Sequence, residues 1–280
     1  MPEMPEVEIL ARHLRPLLRG KTIRSVTVRR ERVLRPTPPR LFEKTLAGAM
    51  FKNLTRRGKY LLFELQPKNA KGTLRVLGHL GMTGRMFAAK KNETLPTHAA
   101  VVFDLGDRNF IYEDVRYFGR MTLDLSAIER LGPEPSEVSP ESFAQSLKHS
   151  RQAIKVKLLD QSLIAGVGNI YASEALYRAR LSPKLPANRL TAEQAKKLLR
   201  AIREVLRDAI KFGSTIPVKT TSGKSGALFY FDDAEGSFYE RRLRVYDRVG
   251  KPCRNCGGKI ERITQAARST YFCPRCQRGR

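Results

Sequence analysis

Long apolar runs are missing from this chain of 280 residues. None approaches the roughly 18 residues that a membrane-spanning helix needs, which speaks against an integral membrane protein. The opening MPEMPEVEIL has no cationic leader followed by an apolar core, so no secretory signal is expected, and the cytoplasm or nucleoid is the expected compartment. Cysteine is scarce, and all four cysteines lie between 253 and 276. That clustering argues against a disulfide framework and for a metal in a reducing compartment. An internal repeat is also lacking.

Acidic residues are the second shortage. Asp and Glu total 27 against 53 Lys and Arg, a formal charge of +26. A field of that sign attracts polyanions, of which nucleic acid is the commonest. The bias is local as well as global: residues 241–280 hold 12 Lys and Arg, with only Asp247 and Glu261 opposing them. Such a block favours a nucleic-acid face over a diffusely basic surface. Apolar residues make up 41% and charged residues 29%, a globular balance in a chain long enough for two domains.

Residues 5–15 read as a short helix. Pro5 suits its first turn, Val7, Leu10 and Leu14 share a face, and Pro16 and Gly20 stop it. From Thr22 to about Leu125 the runs TIRSVTVR, KYLLFEL, TLRVLGHLGM, AAVVFDL, NFIYED and RMTLDL read as strands of a sandwich or barrel. Leu131-Gly132-Pro133-Glu134-Pro135 reads as a linker. Two or three helices follow over 140–181, broken at AGVGN. Residues 191–212 form the clearest helix, with Thr191 and Gln194 as a capping box and Gly213 as its stop. Residues 214–240, rich in Gly, Ser, Thr and Asp, read as a long loop.

Two motifs carry chemistry on their own residues. Cys253-Arg-Asn-Cys256 and Cys273-Pro-Arg-Cys276 form two knuckles whose four thiolates can close a tetrahedron around one Zn²⁺. No position is left for water, so the zinc is structural. KIERITQAARSTYF between the knuckles has strand-like halves around a turn, a β-hairpin finger. The second motif is the start of the chain. Removal of Met1 would give Pro2 a free secondary amine. An α-amine titrates at about 8, and a secondary amine can attack a sugar carbon and form an iminium. Glu3 beside it could move protons. Read alone, Met-Pro-Glu is an ordinary frayed terminus.

Longer stretches bear a resemblance. PEMPEVE (2–8), RRGKYLLFEL (56–65), GHLGMTGRM (78–86), EDVRYFG (113–119), LGPEP (131–135), LIAGVGNIYASEALYRARLSP (163–183) and AARSTYFCPRCQ (266–277) occur in one order over nearly the whole chain. In these the chain resembles bacterial formamidopyrimidine-DNA glycosylase, of the helix–two-turn–helix superfamily shared with endonuclease VIII. The resemblance implies a bifunctional glycosylase and AP lyase of base-excision repair. It would remove oxidised purines, such as 8-oxoguanine and formamidopyrimidines, from double-stranded DNA, and would act as a monomer. Pro2 is the implied nucleophile, Glu3 the implied general acid and base, and Lys59 an implied phosphate ligand near the lesion. Met82, Arg116 and Phe118 match the residues that fill the gap left by an extruded base, a role apolar and aromatic side chains suit. Asn169, at the start of a helix, Lys155 and Arg268 are implied phosphate ligands. His79 would touch DNA or serve as a satisfied structural histidine.

The expected architecture is α+β. An N-terminal β-sandwich with a leading helix occupies 1–130, and a helix–two-turn–helix domain with a lesion-covering loop occupies 131–240. A β-hairpin zinc finger occupies 241–280. Two rivals stand beside the main reading: an endonuclease VIII-like glycosylase for oxidised pyrimidines, and a non-catalytic lesion-binding protein. The sequence departs from the family's usual residues over 214–240 and at VYDR (245–248), where a glycine is usual third.

Overall fold

The computed structural model describes residues 2–213, 219–220, 228–229 and 242–278. Met1 and, apart from two residue pairs, the expected lesion-covering loop at 214–240 lie outside the described residues. The chain forms two compact units, Met1–Glu129 with Gly213–Ser237, and Arg130–Phe212 with Phe238–Arg280.

The first unit opens with α1 (Met4–Leu18), whose buried face is Val7, Leu10, Ala11, Leu14 and Leu18. The helix does not stop at Pro16 but runs through it. A proline near a helix end removes only one backbone hydrogen bond. Leu14 and Leu18 on either side are at most 1% exposed in the core, and the Arg19 N–H still reaches the Arg15 carbonyl at 3.0 Å. Gly20, with φ of +78°, then turns the chain.

The remaining elements of this unit are β1 (Ser25–Val28), α2 (Pro39–Leu46), β2 (Met50–Arg57), β3 (Tyr60–Gln66), β4 (Leu74–His79), β5 (Arg85–Lys90), β6 (Ala99–Asp104), β7 (Arg108–Glu113), β8 (Arg120–Thr122), α3 (Ser126–Glu129) and the short pair β9 (Lys219–Thr220) and β10 (Leu228–Phe229). The eight longer strands make two antiparallel sheets, ordered β1-β6-β7-β5 and β2-β3-β4-β8. One core cluster draws side chains from both. At its centre Phe51 of one sheet meets Phe110 of the other edge-to-face, with centroids 6.1 Å apart. Alternating burial along β3 points Leu61, Phe63 and Leu65 into that core, as a half-buried strand requires. The result is a β-sandwich with α1 against it.

The second unit holds α4 (Pro140–Leu147), α5 (Ile154–Lys157), α6 (Asn169–Ala179), α7 (Ala192–Lys211), β11 (Glu261–Gln265) and β12 (Arg268–Phe272). Helix α7 begins at the expected Thr191–Gln194 capping box and buries Leu198, Leu199, Ile202, Val205, Leu206 and Ala209. Helix α6 starts after Gly168. The loop before it is held by the Gln161 amide, which donates to the Leu159 and Val167 carbonyls and accepts from the Gly166 N–H. Strands β11 and β12 pair as the expected hairpin. Among the described residues no helix is long and apolar enough to cross a membrane.

Candidate functional site

In the first unit, the N-terminus of α1 sits inside the protein. Pro2 is buried, and Glu3 and Glu6 are 1% and 0% exposed. The Glu3 N–H donates to Glu6 Oε2 at 2.8 Å, part of a capping box. Capping fixes the backbone at Glu3, and with it the neighbouring Pro2. A frayed terminus is thereby excluded for residues 2 and 3. Further along α1, Glu8 accepts from Arg56 Nε of β2 at 3.0 Å. Burial pushes the Glu8 carboxyl up, but Arg12 and Arg56 together hold it below the ordinary carboxylate value. Arg56 also donates to the Gly58 carbonyl, so α1 is tied to the β2–β3 turn that carries Lys59. Lys59 is only 8% exposed, and its charge is felt by His79.

His79 ends β4, opposite Tyr60, with ring centroids 4.7 Å apart. Its Nδ1 accepts the Gly81 N–H at 3.1 Å. Burial, reinforced by Lys59 and Arg120, brings its pKa down to about 4. The ring is therefore neutral at physiological pH. With Nδ1 accepting, Nε2 carries the proton and is a donor. The 79–83 turn packs on the 114–119 loop: a Cβ at Gly81, where φ is +60°, would lie 2.6 Å from the Gly119 nitrogen.

One residue that sequence reasoning passed over organises both loops. Asp114, fully buried, accepts from Thr83 Oγ1 at 2.8 Å, Gly119 N at 2.8 Å and Arg116 N at 3.2 Å. Tyr112 adds a longer bond at 3.4 Å. One carboxylate thus sets Met82's turn against the Arg116–Phe118 segment. Tyr117 takes a left-handed φ of 53°, uncommon for a bulky residue. Its hydroxyl is held by Arg30 at 3.0 Å. Phe118 is 47% and Met82 41% exposed, so neither is a core residue. Arg116 lies over the Phe118 ring, 4.8 Å from its centroid.

In the second unit, Lys155, 1% exposed, donates to Asn169 Oδ1 at 2.5 Å. Asn169 Nδ2 donates to the Ser269 carbonyl at 2.9 Å. The N-terminus of α6, where backbone N–H groups favour an anion, is thereby joined to the strand carrying Arg268. Arg268 is exposed beside the hairpin turn. Lys155 is buried where it holds Asn169.

The four cysteines converge, with every Sγ within 4.8 Å of the others. A tetrahedron with Zn–S bonds of about 2.3 Å needs sulfur separations of about 3.8 Å; Cys253–Cys276 and Cys256–Cys273 stand at 3.8 and 3.5 Å. All four are free thiols, and the set fits one structural zinc. Burial pushes the Cys273 and Cys276 thiols up. Against its own burial, Cys253 is held down by Tyr177 and the N–H groups of Asn255 and Cys256. Behind the cluster, the fully buried Glu174 of α6 accepts the N–H groups of Arg244, Val245 and Tyr246, each at 2.9 Å. Burial drives its pKa up and the three amides pull it back. Neither Glu174 nor Tyr177 gave a signal in the sequence beyond its place in a helix.

The chain is similar to known proteins over nearly its whole length. Family models described as formamidopyrimidine-DNA glycosylase N-terminal domain, formamidopyrimidine-DNA glycosylase H2TH domain, and zinc finger found in FPG and IleRS match residues 1–121, 131–220 and 250–279. Formamidopyrimidine-DNA glycosylase of Thermus thermophilus is 42% identical over 287 residues, covering 99% of this chain and 98% of its own. That of Solibacter usitatus is 39% identical, covering 99% and 100%. Among solved structures, a Lactococcus lactis Fpg bound to DNA containing N7-benzyl-Fapy-dG superposes with a TM-score of 0.85 at 32% identity, covering 99% and 100%. Another, with DNA containing an oxidised pyrimidine, gives a TM-score of 0.86 at 32% identity, with the same coverage.

Proposed function

The chain belongs to the formamidopyrimidine-DNA glycosylase family, and on that premise we propose that it excises oxidised purines from duplex DNA through a covalent link at Pro2. The observation that carries this reading is the buried Pro2–Glu3 pair, locked at the head of α1 by Glu6. Once Met1 is removed, the Pro2 nitrogen attacks C1′ of the damaged nucleotide, and the base departs with the glycosidic electron pair. Glu3 protonates the ring oxygen O4′ as the sugar opens, leaving an iminium between Pro2 and C1′. Loss of a proton from C2′ expels the 3′ phosphate. A second elimination expels the 5′ phosphate, and a one-nucleotide gap remains.

The other residues serve binding on this reading. Lys59, Asn169 and Arg268 take phosphates, with Lys155 holding Asn169, and His79 offers its Nε2 proton. Met82 and the stacked Arg116–Phe118 pair fill the space of the extruded base, with Arg116 donating to the orphaned partner. The domains act as 1–130 for chemistry, 131–240 for the backbone and 241–280 as the finger, in a monomer working on nucleoid DNA in the cytoplasm. The structural zinc supplies shape to the finger and no chemistry to the reaction.

Borohydride reduction on a duplex containing 8-oxoguanine opposite cytosine tests the reading. A covalent adduct mapping to Pro2, absent in Pro2→Gly with its amine blocked, is expected. A thymine glycol duplex run in parallel separates purine from pyrimidine preference. Failure of the wild-type protein to form any adduct would leave only the lesion-binding reading.

A further inference from the structure

Helix α6 meets the metal-bearing segment at three levels. At its first residue, Asn169 holds the Ser269 carbonyl. Further along, Glu174 holds three successive amides. Three residues beyond, Tyr177 Oη lies 3.2 Å from Cys253 Sγ. Glu174 and Tyr177, spaced i and i+3, share one face of the helix. The first two contacts grip backbone; the third grips a zinc ligand. A zinc-bound cysteine is a thiolate without a proton, so in this pair the phenol is the donor.

Four thiolates around one divalent ion leave a net negative centre. Here it sits against Val245, Ile260 and Tyr271, which give it little polar relief. Among the described residues, its sulfurs are reached by Asn255 Nδ2, 3.3 Å from Cys276 and on the knuckle itself, and by the Tyr177 hydroxyl, from a separate helix. We propose that Tyr177 is an outer-sphere ligand of the zinc site, donating its hydroxyl proton to the Cys253 thiolate and setting from helix α6 how firmly the metal is held. The hydrogen bond draws charge off the sulfur. That makes Cys253 a poorer target for protons and oxidants and fixes the direction of its lone pairs. It also joins retention of the metal to the helix that presents Asn169, so the finger and the anion-binding end of α6 share one support.

The rival explanation is that Tyr177 only fills space beside the finger, which a phenyl ring would do equally well. Tyr177→Phe in the full-length chain separates the two, because it removes one oxygen and leaves the packing. Zinc affinity is measured by competition with a chromophoric chelator. Co²⁺-substituted protein is read by its thiolate-to-cobalt charge-transfer band. Loss of an outer-shell partner should weaken zinc binding about tenfold or more, and the band should move to lower energy as the Cys253 lone pairs lose their hydrogen bond. Circular dichroism of the zinc-saturated variant controls for the fold. Equal affinities with an unmoved band overturn the proposal. So does weaker binding with an unmoved band, because the effect would then come from packing.

Discussion

His79 must stay uncharged for its contacts to hold, since its Nδ1 accepts the Gly81 N–H and protonation would turn acceptor into donor. Burial first, then Lys59 and Arg120, bring its pKa from 6.5 to about 4, with Asp114 opposing. The unfolded chain therefore binds the proton that the native ring refuses. Stability rises with pH through this window: the contribution is complete above about 6.5 and is lost as pH falls towards 4. At about 1.4 kcal/mol per pH unit, the ceiling is about 3 kcal/mol. His79→Asn keeps an acceptor near the Gly81 N–H but does not titrate. Melting temperatures from pH 7 to pH 4 should fall more steeply for the wild type than for the variant; parallel profiles would show that the ring is not held neutral. Asp247 illustrates what one residue can reveal in sequence. It stands where the family usually has glycine, and its φ is 54°, the region where glycine is free and Asp is among the better-tolerated substitutes. Its carboxylate also accepts from the Tyr271 hydroxyl at 3.3 Å. The departure was legible, while its backbone cause was not.

At the scale of elements, the strongest example is the finger's turn. Ala266 and Ala267, between β11 and β12, both have positive φ, 47° and 58°, as the two central residues of a type I′ hairpin turn do. Alanine pays a steric cost there that Asn and Gly largely avoid. Ala266→Asn combined with Ala267→Gly should stabilise the hairpin by about 1 kcal/mol. Slower amide hydrogen exchange in β11 and β12 would be the readout, and unchanged exchange would mean that the turn is not a strained element. The hairpin itself could be anticipated from the strand-like halves of KIERITQAARSTYF; the handedness of its turn could not, because alanine carries no such preference. The same division runs through the other elements. Helix α7 was legible because six buried residues repeat at helical spacing. Helix α2, inside a stretch that reads as strands, was not: it is eight residues long with only Phe42 and Leu46 as buried anchors, too short for a periodic signal. Strand β2 escaped as well, for its burial pattern does not alternate cleanly. For the site, the resemblance supplied the candidate residues. The supports that hold them, Asp114, Glu174 and Tyr177, were not, because a buried hydrogen-bond acceptor or an outer-sphere donor is defined by residues far away in sequence.

Across the whole molecule the excess of 26 positive charges invites the idea that net charge alone drives binding. Screening argues otherwise, since at physiological ionic strength charges more than about 8 Å from a phosphate are largely silent. Affinity should then depend on the few cations in contact, each releasing counterions and adding roughly 0.9 to the slope of log K against log salt. Arg268 is suited to show this, because it is exposed beside a turn and its removal should disturb little else. Arg268→Ala should flatten the salt slope by about 1 and weaken lesion-bearing and intact duplexes alike. Phe118→Ala removes an exposed ring without charge, so it should leave the slope unchanged and reduce only the preference for the lesion. Fluorescence anisotropy of both variants on both duplexes over a salt series tests the pair together. An unaltered slope for Arg268→Ala would remove that arginine from the phosphate contacts, and an altered slope for Phe118→Ala would mean that charge and gap-filling cannot be separated in this protein.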